Sequence, residues 1–526
     1  MIFFDEDCNA RYFRAEAGKL KPEDLDSIVD NLAGSDVSDI LIGTCAQVAM
    51  YPGARAITEF TEGFDIGKGL EQPWFHGQAT PALYSNAANI MALAALGIDS
   101  NDYLLKRSRA KGFRAWVTIR MNDQHCTEIP KMPLHGRLWM EHPELRTQTH
   151  APEAGFSYEH AIVRDTFRDV IRENLELYDV DGIMLDWMRH VPHFNDGEGE
   201  AHIPLMNDYI QEIRRLVDGF SAMRGHRILL AARIPATIKS ARYHGLDGVE
   251  WARRGLVDRL VIAPKYLRSF VLDANAWKAA IGKESFPVTA CIDTPYQPYP
   301  GYPPDAPRGV WTHEPFDRRQ LPFIRGACRI ALDNGSDGIY LFNFMGVRNK
   351  GIMQECFSEC GTLQTLLHKN FSLDISYDDL DMDEGVFLKG WRAEDNDAYF
   401  SKWRRQCKDA GRYPYQLPQE LSPGQSCTFT FATGTVPEKS PLLACTFEGL
   451  GKADVCINGH PCVFSQGRYL LELDAFNFRT AEVTVTSHAS ENVEIRRASL
   501  HFSWDGIFPQ MPVPEEQLNL GTALHL

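Results

Sequence analysis

Charged and hydrogen-bonding residues recur in this chain at the points where short apolar runs stop. Ile2–Phe4 leads into Asp5-Glu6-Asp7, Ala115–Arg120 into Met-Asn122-Asp123-Gln-His125, and Gly182–Asp186 into Trp-Met-Arg189-His190. Ile228–Arg233 ends on Arg233, Arg259–Ala263 is followed by Lys265-Tyr266, Val288–Ile292 by Asp293 and Gly338–Phe342 by Asn343. A carboxylate can activate water, an imidazole with an ordinary pKa of about 6.5 can give up a proton, and a guanidinium presents a planar fork to a carboxylate. Cleaving a glycosidic bond with inversion needs one group to protonate the leaving oxygen and another to activate water on the opposite face of the sugar. Two carboxyl groups usually do this, but an anionic sugar favours a histidine acid. A substrate carboxylate near the scissile bond makes a neighbouring carboxylate harder to ionise and stabilises an imidazolium. His125 as acid and Asp5 as base would suit such a substrate.

Asp5, Asp7 and His125 are also residue types that ligate metals, yet carboxylates and imidazole at one end of a scaffold serve acid–base chemistry equally well. The expectation is a site with no metal and no organic cofactor. No glycine-rich phosphate loop, H-E-x-x-H, G-x-S-x-G or kinase motif occurs in a fitting context.

Something must bring these scattered run-ends together. From the first residue to about residue 346 the apolar runs number eight, the second being Asp39–Gly43, and they alternate with segments of helical period. Those segments include PEDLDSIVDNLAG, SYEHAIVRDTFRDVIRENLELY, LMNDYIQEIRRLVDGF and RRQLPFIRGACRIALDNG. Repeated βα units of this number predict a (β/α)₈ barrel, a TIM-like α/β fold, whose active site forms where the strands run out. The loops after the second, third and seventh runs are long and rich in Pro, Gly and aromatics. Their Trp74, Phe75, Tyr299, Tyr302 and Trp311 could wall a sugar site or simply cover the barrel rim. Beyond Gln364–His368 a linker-like NFSLDISYDDLDMDEG precedes alternating runs such as CTFTFATGT, DVCINGHPCVF and AEVTVTS. These predict a smaller antiparallel β-sandwich, jelly-roll-like, with a turn at Asn458-Gly459. The division expected is a catalytic barrel over residues 1–370 and a linker with sandwich over 371–526.

Composition narrows the partners. A chain of 526 residues with 44% hydrophobic and 24% charged residues can bury a substantial core in more than one domain. A formal net charge of −16 offers no basic footprint for nucleic acid and would be repelled by an anionic membrane surface. No apolar run approaches the roughly 18 residues of a spanning helix. The N-terminus lacks the pattern of an export signal, so a cytoplasmic location is expected. The 12 cysteines form no C-x-x-C pair and read as mostly buried thiols. The sandwich could bind carbohydrate, pack against the barrel or mediate a homodimer.

The strings IFFDEDCNAR, WVTIRMNDQH, VDGIMLDWMRH and GIYLFNFMG together resemble the inverting exo-sialidases of glycoside hydrolase family 156. The likeness covers the barrel and, less clearly, the sandwich. It implies a single-displacement sialidase acting on sialoside glycans, with Asp5 as Brønsted base and His125 as Brønsted acid. The sialic acid carboxylate would be held by Arg120 and Arg189, with Asn122 and Asn343 as further hydrogen-bonding groups. Either arginine could instead neutralise Asp186 or Asp123 in a structural network. The D-W-M-R string also resembles barrel glycosidases in which the fourth-strand aspartate is catalytic, which makes Asp186 the rival of Asp5. That rival reading is a barrel hydrolase for a neutral or uronic-acid polysaccharide, and a non-catalytic glycan-binding barrel is the other. The S-x-D-x-G-x-T-W repeats of propeller sialidases do not occur.

Overall fold

The computed structural model describes residues 1–127, 129, 131–148, 154–195, 197–263, 272–293, 321–344, 350–376, 419–435, 441–472, 479–495 and 497–509. Eight parallel strands close into a barrel: β1 (Ile2–Glu6), β2 (Val37–Cys45), β3 (Arg114–Arg120), β4 (Gly182–Asp186), β5 (Leu229–Pro235), β6 (Arg259–Ala263), β7 (Val288–Asp293) and β8 (Ile339–Phe342). Each falls within a few residues of an expected run. Closure is made by β1 against β8, with Ile2, Phe3 and Phe4 opposite Ile339, Tyr340 and Leu341. The helical segments form as their period requires, at Pro22–Asp30, Ala161–Leu177, Ile203–Arg224 and Leu321–Asp333.

Because side chains alternate along a strand, each barrel strand sends one set outward to the helices and one set into the lumen. The lumen is packed rather than open: Phe3, Leu41, Trp116, Met184, Ala231, Val261, Cys291 and Tyr340 form a single buried cluster. Trp116 is the largest of these, and it fits because the facing position on β4 is Gly182, where a Cβ would stand 2.2 Å from the indole ring. The indole N–H donates to Asp39 at 2.7 Å, and the Arg259 guanidinium lies 4.7 Å from the Phe3 ring centre, closing the N-terminal end. At the other end of the lumen stand Asp5, Thr118, Arg120, Asp186 and Arg233.

The C-terminal region is built of antiparallel sheets, the larger two having four and five strands, as a sandwich requires. Asn458 and Gly459, with φ of 49° and 81°, make the expected tight turn between Ala453–Ile457 and His460–Pro461. The expected linker is corrected at its start. Phe371–Ser376 is an edge strand paired antiparallel with Arg497–Ser503. Phe371, Leu373 and Ile375 alternate with Ser372, Asp374 and Ser376, and Asp374 meets a buried partner: Arg497 donates to both carboxylate oxygens at 2.9 and 3.0 Å. This strand lies against the helix before β8, where a Cβ on Gly326 would sit 2.0 Å from the Ser372 carbonyl oxygen. Ile330 of that helix belongs to the sandwich core. The eleven described cysteines are thiols, seven of them buried. No single helix among the described residues is long and apolar enough to cross a membrane.

Candidate active site

β1 carries two carboxylates on its lumen side. Asp5 is 1% exposed, and its Oδ2 accepts hydrogen bonds from the Thr118 hydroxyl on β3 at 3.1 Å and from the Tyr340 hydroxyl on β8. Among the described residues no hydrogen bond reaches its Oδ1, the oxygen that would face an attacking water. Burial pushes the Asp5 carboxyl up to about 7, assisted by the negative charges of Asp7 and Asp186 and opposed by the Tyr340 hydrogen bond and by Arg233. Such a group is a stronger base than an ordinary carboxylate, which is what activation of water asks for.

Two residues on, Asp7 behaves oppositely. Burial works against ionisation, but the charges of Arg120 and Arg189 overcome it and hold Asp7 well below the usual carboxylate range. Arg120, at the end of β3, bridges Asp7 and Asp123, the latter at 2.5 Å. Its fork is therefore filled by the protein's own carboxylates, the structural network that the sequence left open as the alternative to ligand binding. Asp123 in turn accepts from the His125 backbone N–H at 3.0 Å and faces the His125 Nδ1 at 2.8 Å. The His125 ring also meets His190 edge-on at 4.6 Å between ring centres. Its side chain remains 34% exposed. Burial and the nearby Arg189 and Arg120 charges lower the His125 pKa, with Asp123 acting against them.

Arg189 is held differently from the other arginines. Its Nη2 lies 2.7 Å from the His125 Nε2 and its guanidinium 5.6 Å from the Phe342 ring centre. It makes no ion pair among the described residues, and its Nε has no hydrogen-bond partner. Arg233, by contrast, is buried against Asp186, its Nη1 donating to both carboxylate oxygens at 3.1 Å, with the guanidinium 4.0 Å from the Phe342 ring. Asp186 Oδ1 also accepts the backbone N–H groups of Met188 and Arg189 at 3.0 Å each. Asp186 is thus committed to shaping the turn after β4 and to neutralising Arg233.

Asn122 is fully buried, and its amide is used by backbone: Nδ2 donates to the carbonyls of Phe156 at 3.0 Å and Pro192 at 3.3 Å, while Oδ1 accepts from the Phe156 N–H at 2.9 Å. It anchors the loops after β3 and β4. Asn343 follows β8 with φ of 62°, a left-handed conformation asparagine tolerates, and is half-buried at the strand end. Trp74 and Phe75 take the rim-packing alternative, edge-on to each other at 4.9 Å and clustered with Phe64. Lys265, Tyr266, Tyr299, Tyr302, Trp311 and the side chain of Asp293 lie outside the described residues.

The structure adds Tyr340, Thr118, Asp7 and Asp123 as functional neighbours. Asp7 and Asp123 were visible as polar run-ends. Tyr340 and Thr118 sit inside strands, and the only signal was their parity with Phe342 and Arg120 on the lumen face. Asp123, His125 and His190 bring three ligand-type atoms within 4.8 Å of one another. Arg120 and Arg189 already bond to two of the three residues, so two positive charges beside the cluster oppose a metal cation there.

No family model and no curated protein sequence matches the chain. Solved structures similar to it include the noncanonic maltogenic alpha-amylase AmyB from Thermotoga neapolitana, at 13% identity and a TM-score of 0.34 over 94% of this chain and 98% of that one. The PgaB (BpsB) glycoside hydrolase domain from Bordetella bronchiseptica matches at 8% identity and a TM-score of 0.43 over 68% of this chain and 98% of that one. The alpha-galactosidase AgaA from Geobacillus stearothermophilus matches at 13% identity and a TM-score of 0.36, over 92% of this chain and 55% of that one.

Proposed function

We propose that this chain is a barrel glycoside hydrolase and, within that class, an inverting exo-sialidase that removes terminal 2-linked sialic acids from glycans. The observation that supports an anionic substrate is Arg189: a half-buried guanidinium with no ion pair among the described residues, beside a partly exposed histidine. Carboxylates already pair with Arg120 and Arg233, so Arg189 is the fork that a substrate carboxylate would fill, with Asn343 at the end of β8. Asp5 then takes a proton from the water that attacks the anomeric carbon, and His125 gives one to the departing glycosidic oxygen. Arg120 holds Asp7 and Asp123 in place and so orients His125 rather than gripping the sugar. Both oxygens of Asp186 accept hydrogen bonds from its own turn or from Arg233, whereas Asp5 keeps one oxygen for water.

The test is hydrolysis of α-linked sialyl-lactose followed by NMR from the first seconds. The β anomer of free sialic acid is expected as first product; the α anomer would overturn inversion, and no release of sialic acid would overturn the substrate assignment.

A further inference from the structure

We infer that Arg189 locks His125 in its neutral form until an anionic group takes the guanidinium, so that the acid is armed by the charge of the substrate itself. This rests on the sialidase reading for its ligand, though not for its geometry.

A guanidinium only donates, so the 2.7 Å contact from Arg189 Nη2 requires a lone pair on His125 Nε2. The other ring nitrogen, 2.8 Å from Asp123 Oδ1, must then carry the hydrogen. Asp123 can only accept there: burial opposes its ionisation, but the charge of Arg120, whose Nη1 donates to Asp123 Oδ2 at 2.5 Å, keeps it ionised whatever the state of His125. His125 is therefore neutral, in a single tautomer, with the nitrogen that should protonate a leaving oxygen occupied by a donor. A proton on Nε2 would point an N–H at an N–H. As long as Arg189 stays, His125 cannot be an acid.

Other groups facing the ring do not substitute for this control. Asp123 favours the imidazolium and Arg120 disfavours it. His190 meets the ring edge-on, and His135 bonds to the His125 carbonyl rather than to the ring. Arg120 is fixed by two carboxylates, whereas Arg189 makes no ion pair among the described residues and feels Asp7 only through its charge. A substrate carboxylate would draw the Arg189 donors to itself, vacate Nε2 and cancel the positive charge opposing protonation. One proton from solvent then enters on Nε2, passes to the leaving oxygen, and is balanced by the proton Asp5 takes from water and later returns. A neutral sugar does none of this. Selectivity for anionic sugars would thus appear in kcat as well as in KM.

The experiment uses the full chain with ¹⁵N-labelled histidine, the His125 signals being assigned by their loss in His125→Ala. In the ligand-free protein, Arg189→Met should raise the His125 titration midpoint by roughly one pH unit, and Arg189→Gln, which keeps a donor but drops the charge, by less. An unmoved midpoint in both overturns the inference. In the Asp5→Asn background, which blocks turnover, sialyl-lactose at pH 7.5 should convert Nε2 from its lone-pair to its protonated signal, while lactose should not. Sialyl-lactose bound with Nε2 still unprotonated overturns the inference. Absence of sialyl-lactose binding together with a raised midpoint in Arg189→Met supports the lock and overturns the sialidase reading instead.

Discussion

Replacing Asp5 by asparagine should stop the chemistry and at the same time stabilise the barrel at alkaline pH. The Asp5 carboxyl is 1% exposed and its pKa rises from the ordinary 3.8 to about 7, chiefly through burial. Below pH 4 it is protonated in folded and unfolded chains alike. Between pH 4 and 7 the unfolded chain releases the proton that the folded chain keeps, so each step up in pH favours unfolding. At about 1.4 kcal/mol per pH unit, the stability forfeited above pH 7 is about 4 kcal/mol. Asparagine is isosteric, has an oxygen for the Tyr340 and Thr118 hydroxyls, and never ionises. Asp5→Asn should therefore match the native protein near pH 4 and exceed it by about 4 kcal/mol at pH 8, roughly 5 °C in the barrel transition for a unit of this length. Glu6, also raised by burial to about 7, is present in both proteins and cancels in the comparison. The assay is thermal unfolding of the two proteins in parallel at several pH values, with sialoside binding and turnover measured on each. A stability difference that is constant with pH, or a variant less stable at pH 8, would refute the buried-carboxylate argument. Normal turnover in the variant would refute Asp5 as base.

His125→Ala should discriminate between leaving groups: an aryl sialoside, whose phenolate departs with little help from a proton, should keep far more activity than sialyl-lactose, and equal losses on both would remove the acid role. Arg120→Lys keeps the charge but cannot bridge Asp7 and Asp123 with one ammonium in the same way, so kcat should fall by at least about tenfold with a smaller change in KM; a KM effect alone would make Arg120 a direct ligand. Tyr340→Phe removes the hydrogen bond that lowers the Asp5 pKa. Asp5 already titrates above His125 in the free enzyme, so the ionised base with protonated acid is a minority form and the alkaline fall of kcat/KM follows Asp5. The variant should shift that fall to higher pH and lower the plateau, converging with the native enzyme at high pH; an unmoved limb would mean that Tyr340 does not tune Asp5.

Local pattern was enough to read the barrel. Each strand of the eight is a short apolar run, each neighbouring helix repeats its apolar residues at helical period, and both periods are properties of consecutive residues. The same holds for the Asn458-Gly459 turn and for the polar run-ends at Asp5, His125, Arg189 and Asn343. Partnership across the barrel is another matter, because it depends on closure and register, which bring together residues far apart in the chain. Arg120 meets Asp7 across 113 positions, Tyr340 meets Asp5 across 335, and Arg189 meets His125 across 64. Arg120 and Arg189 read alike in sequence as two arginines at strand ends, and only the fold distinguishes the one saturated by carboxylates from the one that is not. The strand Phe371–Ser376 carries a strict apolar and polar alternation that is local, but the partner that neutralises its Asp374 is Arg497, 123 residues away. Secondary structure follows from short-range periodicity, whereas the charge state of a buried group follows from whichever distant residue the closed barrel places beside it.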